Sequence, residues 1–201
     1  ISSFGFAPFH FFPLTIFLIL MAEPLIITMF TEKFIDTIPI FTIYMILLPT
    51  YPFRIGWILM ASGQTKFLLR LAILMSATNI LLSYYLITTL DGENRLLGIP
   101  FATVTVTWLS MFIIVYQSVS TLQSRISEVY PWKKIFTIIG ISLLSGIPVF
   151  ALLSFNLPNL VLLVASASIY GLIFLYSSFK FNIWGESEIK LIKSFWVLKN
   201  S

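Results

Sequence analysis

The sequence predicts an all-α membrane protein of six transmembrane helices. Three observations carry that prediction. Hydrophobic residues make up 58% of the 201 residues and charged residues 10%, against about 45–50% and about 25% in soluble chains. Uncharged runs recur at the length of about 20 helical residues that one crossing of the bilayer core requires. Lys and Arg divide unequally between the two sets of loops that such helices create. A closed barrel would instead show period-two alternation, which these runs lack.

The run Ile1–Ala22 is interrupted by Glu23 and resumes over Pro24–Thr31; it predicts a helix over 12–31. Thr37–Phe53, then Arg54, then a further apolar stretch to Thr65 predict a helix over 37–61. Leu71–Leu90 and Leu96–Ser124 predict helices over 68–90 and 97–120. Ile135–Phe179 is too long for one crossing, and Asn156-Leu157-Pro158-Asn159 is a turn signal inside it. It predicts two helices, 135–155 and 159–179. Residues 1–179 thus read as one six-helix unit.

The remainder, 180–201, reads as an amphipathic cytoplasmic tail. Ile189, Ile192 and Trp196 share a helical face, with Lys190 and Lys193 among them. The loops on the tail's side, with the tail itself, carry nine Lys and Arg; the opposite loops carry two, Lys33 and Arg95. Positive residues stay inside, so both ends of the unit are expected in the cytoplasm. The net charge of +4 then records topology, and no nucleic-acid partner is expected. There is no cysteine and one histidine, His10, so thiolate chemistry, Cys-type zinc sites and His clusters are excluded. No metal and no cofactor are expected. The chain begins at Ile1 with no basic residue before its first apolar run, and reads as a part of a longer membrane protein.

An ionisable group inside a span is costly and so marks a functional candidate. Arg54 follows Pro49 and Pro52, which remove backbone donors and bend a helix. Its guanidinium fork suits a phosphate or pyrophosphate; snorkelling to inner-leaflet headgroups is the alternative. Glu23 is a candidate for ion coupling, against the simpler reading of a carboxyl near the outer interface. Ser76, Asn79 and Ser83 form a stripe on one helix, and Thr103, Thr107 and Ser110 a stripe on the next. They are expected to bond neighbouring helices, or for Thr its own i−4 carbonyl, rather than line a cavity. Small pairs at Gly98/Ala102, Ser142/Gly146 and Ala167/Gly171 are expected to admit close helix approach. The tryptophans, Trp108 included, read as interface or packing aromatics. Asp91-Gly92-Glu93, on a short external loop, could hold a cation or act as a base in a lipid-donor glycosyltransferase. Asp-Gly is also a common turn dipeptide, which is the preferred reading.

Several stretches, taken in order, resemble the C-terminal half of bacterial polysaccharide flippases, relatives of the multidrug and toxin extrusion exporters and of the lipid II flippase. Glu23-Pro24 through Phe30, then Thr31-Glu32-Lys33-Phe34, is similar to a helix exit in which Gly usually stands at the place of Thr31 and Tyr at that of Phe34. Ile38-Pro39 through Pro49 resembles the next helix. Ala61-Ser62-Gly63-Gln64-Thr65-Lys66 resembles a following turn, Asn79-Ile80-Leu81-Leu82 a helix interior, and Gly98 with Ala102-Thr103 a helix start. The resemblance implies one lobe plus two extra helices of a 12–14-helix alternating-access transporter, with an upstream lobe in the same polypeptide. It implies a bacterial inner-membrane location and a polyprenyl-pyrophosphate-linked oligosaccharide as cargo. It also implies no enzyme chemistry. Arg54, and secondarily Arg70, are the cations expected near the pyrophosphate, with Asn79 a further substrate-binding candidate. A cation-coupled drug antiporter of the same superfamily is the second reading.

Overall fold

The computed structural model describes residues 10–53, 56–155, 157–181 and 183. Those residues are helical, with no strand among them. The α-helices are α1 (Phe11–Leu20), α2 (Ala22–Phe30), α3 (Ile38–Met45), α4 (Gly56–Ala61), α5 (Thr65–Thr89), α6 (Gly98–Thr121), α7 (Ile126–Val129), α8 (Trp132–Leu152) and α9 (Asn159–Lys180). Five segments are long and apolar enough to cross a membrane, and six if the bent pair α1–α2 is one span. In α5 only 11% of the most apolar window is buried. Side chains such as Leu81 and Ile147 face outward. A face of this kind is unfavourable in water and at ease in lipid.

The first span departs from the single helix expected over 12–31. Its two halves, α1 and α2, meet at an angle of 72°. The cause is legible in Pro24, which has no N–H to give to the carbonyl four residues back. A proline is tolerated in a first helical turn, where that donor has no partner anyway. The chain therefore ends one helix at Leu20 and starts another at Ala22. Met21, at the corner, is fully buried.

The second expected helix, 37–61, is also interrupted. A 3-10 turn at Glu32–Thr37 leads into α3; a second, Leu48–Phe53, contains Pro49 and Pro52; α4 follows. Proline at 49 and 52 deprives the carbonyls of Met45 and Leu48 of their helical donors. Inside lipid each freed carbonyl needs a substitute partner. Three side chains supply partners around the break. The Trp108 indole N–H donates to the Ile46 carbonyl at 3.2 Å, and the Thr50 hydroxyl to Leu47 at 2.7 Å. Tyr130 reaches the Phe53 carbonyl at 3.4 Å. Trp108, expected as a packing or interface residue, is thus a backbone cap as well.

Two long hairpins build the rest. α5 and α6 pack along each other, as do α8 and α9. Around them, α3 and α4 lie on α6, α1 on α8, and α2 on α9. The turn Leu48–Phe53 touches both α1 and α6 and so joins the two halves. Its Phe53 enters the main apolar cluster with Met21, Met111, Tyr130, Ile138 and Tyr170.

Two of the three small pairs do what their spacing predicts. A Cβ on Gly98 would come within 2.9 Å of Leu86 Cβ and 3.1 Å of the Ile87 backbone nitrogen, and Ala102 is fully buried. A Cβ on Gly146 would come within 2.9 Å of Leu20 on α1. The third pair differs: Gly171 has no neighbour within 4 Å and Ala167 is exposed. Ala167/Gly171 faces outward and joins no described helix.

Candidate functional site

The two polar stripes converge because the α5–α6 hairpin is antiparallel. Its closed end is set by the Gly98 approach and by Arg95, whose Nε–H donates to the Ile87 carbonyl at 2.9 Å. A cation at the C-terminal end of α5 also complements the helix dipole. At the other end the Gln117 amide donates to Gln64 Oε1 at 2.9 Å, and the Gln64 amide to the Thr121 hydroxyl at 2.8 Å. Sequence reasoning missed this clamp; an amide such as Gln117 inside an apolar run was the available signal.

Between those two fixed ends lies an open groove of about 540 Å³. Ser76, Asn79, Thr103, Thr107 and Ser110 line it, over walls that include Met75 and Val106, with Trp57 of α4 at its side. Ser76 and Ser110 stand near the middle of their helices. Helical Ser and Thr commonly turn the hydroxyl onto their own i−4 carbonyl. Thr103 does so, donating to Ile99 at 3.0 Å. The hydroxyls of Ser76, Thr107 and Ser110 form no hydrogen bond to any described residue. Ser83 leans on Asn79, its hydroxyl 3.5 Å from Oδ1, which leaves the Asn79 amide N–H groups free among the described residues. Thr103 thus bonds its own helix as expected, while Ser76, Thr107 and Ser110 do not bond a neighbouring helix. They face a shared cavity. Among the described residues no ionisable side chain lines it.

The other candidates lie elsewhere. Arg54 and the tail from 184 onward fall outside the described residues. Arg70 is exposed on α5 and does not line the groove. Glu23 is exposed in the first turn of α2, directly past the bend, where the positive end of the helix dipole favours a carboxylate. Asp91 is extended and Gly92 has φ of 59°, the geometry of a turn; the Glu93 side chain lies outside the described residues. Among the described residues no three His, Asp or Glu side chains gather as a metal cluster.

Two backbone sites bear on the turns. Thr31 has φ 75° and ψ 169°, a conformation that glycine adopts freely and threonine does not. Gly63 has φ 75°. On the loop side of α8, Tyr130 is buried, and loss of solvent raises its phenol above the ordinary range. No family model, no curated protein and no solved structure matches this chain.

Proposed function

We propose that these spans belong to a flippase that carries polyprenyl-pyrophosphate-linked oligosaccharide across the bacterial cytoplasmic membrane by alternating access, for cell-surface polysaccharide synthesis. The C-terminus lies in the cytoplasm, and an upstream lobe completes the transporter. One observation carries the reading: unpartnered polar groups gather in a groove near the middle of two membrane-length helices. Binding near the bilayer midplane beside discontinuous helices is the plan of many secondary transporters, and both α1–α2 and 38–61 are discontinuous. The left-handed Thr31 and Gly63 add support, since the flippase resemblance expects glycine at both places. Arg54 is assigned to the pyrophosphate, where a guanidinium fork gives paired charge-assisted bonds. No covalent step is assigned to the chain.

The antiporter reading calls for an acidic group in the cavity, and among the described residues no acidic one lines the groove. The transferase reading calls for Asp91 as a reactive carboxylate, and its turn geometry accounts for it without one. Deletion of the encoding gene is the test. Loss of surface polysaccharide with accumulation of unflipped lipid-linked oligosaccharide is expected. Intact polysaccharide with a new drug sensitivity would favour the antiporter.

A further inference from the structure

We propose that the α4–α5–α6 groove is a subsite for the uncharged sugar units of an oligosaccharide, and that the pyrophosphate is held outside it. This rests on the flippase reading and specifies which part of the cargo the groove takes. The lining offers hydroxyls that both donate and accept, at Ser76, Thr107 and Ser110, and free amide donors at Asn79. Among the described residues it offers no cation to balance a phosphate. A polyanion held by these described side chains alone would be desolvated without a counter-charge, which is strongly unfavourable. A sugar ring matches the surface on both counts. Its hydroxyls replace the partners that the hydroxyls and the Asn79 amide lack, and its C–H faces lie against Met75, Val106 and the indole of Trp57. The volume of about 540 Å³ falls within the range of about 300–1,000 Å³ typical of small-molecule sites.

These 201 residues hold no cysteine, and any cysteine elsewhere in the full polypeptide is first replaced by serine. Ser76→Cys, Thr107→Cys and Ser110→Cys are introduced singly into the full chain in nanodiscs, with Leu81→Cys as an outward-facing control. Reaction with a charged, membrane-impermeant thiol reagent is timed with and without a mixture of neutral hexoses, deoxyhexoses and N-acetylhexosamines, and with inorganic pyrophosphate. The groove positions are expected to react while Leu81→Cys does not. The sugar mixture is expected to slow them about fivefold, the protection given by a ligand at about four times its Kd. Pyrophosphate is expected to leave the rates unchanged. Equal protection by pyrophosphate, or no protection by the sugars, overturns the proposal. Unreactive groove cysteines also overturn it, because another helix then fills the groove. Sugar protection in a chain whose deletion leaves export intact would keep the subsite and remove the flippase reading; export loss without protection would do the reverse.

Discussion

Trp108 donates its indole hydrogen to the carbonyl of Ile46, 62 residues earlier in the chain, across 3.2 Å. The bond closes a gap that a proline-interrupted helix leaves in its backbone ladder. Trp108→Phe keeps the aromatic contact with Phe112 and deletes only the donor. The expected loss is about 1 kcal/mol, the usual net worth of one hydrogen bond, read as a lower midpoint in detergent-driven unfolding. An unchanged midpoint would mean that the break does not depend on this cap.

Gly98→Ala places a methyl against Leu86 Cβ and the Ile87 backbone. Backbone cannot rotate away, so the α5–α6 hairpin must part. Overpacking of this kind costs about 1–3 kcal/mol. Gly171→Ala meets nothing within 4 Å and is expected to be neutral or slightly stabilising, as alanine favours helix. The two variants, compared in one unfolding assay, separate helix propensity from close approach.

Thr31→Gly is expected to stabilise the chain by about 1 kcal/mol. Holding a β-branched residue at φ 75° and ψ 169° costs roughly 1–3 kcal/mol. Glycine's greater freedom when unfolded returns about 0.5–1 kcal/mol of that. A lower thermal midpoint for the variant would contradict the strained backbone.

Tyr130 gives a pH dependence. Its phenol is raised by burial, so the folded chain holds the proton at pH values where the unfolded chain, with an ordinary pKa of about 10, releases it. The unfolded state then binds fewer protons, and stability falls as pH rises above about 10. Below that value the contribution is fully present. Tyr130→Phe is expected to flatten this part of the stability-versus-pH curve while leaving the neutral-pH value lower by about 1 kcal/mol or less, since the bond to Phe53 is long at 3.4 Å.

Long apolar runs were readable in the sequence because lipid fixes their length. The breaks were harder. Pro24 and Pro49 are visible as letters, but whether a proline bends a helix or ends it depends on what donates to the freed carbonyls, and around Pro49 and Pro52 those donors are Trp108 and Tyr130 from distant segments. The spacing of Ser76–Asn79 and Thr103–Thr107–Ser110 revealed one face on each helix. It could not reveal that the faces meet, since that register is set by the Gly98 approach. The clamp of Gln64, Gln117 and Thr121 was hidden for the same reason. Gln64 lies 53 and 57 residues from its two partners on α6 and meets them only when the hairpin closes.

The corner at Met21 has a consequence for the bilayer itself. Two pieces of ten and nine residues are about 15 and 13 Å long. With α1 along the membrane normal, a 72° turn leaves α2 advancing only about 4 Å, so the pair reaches roughly 19 Å of a core about 30 Å thick. The residues that follow, Glu32, Lys33 and Asp36, are charged and exposed, and cannot extend that reach through hydrocarbon. The described residues of this pair thus reach through only part of the core, and lipid that meets α1 and α2 alone tilts or compresses beside them. A locally thinner membrane shortens the distance over which a polar headgroup is parted from water. Under the proposed flippase function, such a thin spot would ease the passage of the headgroup.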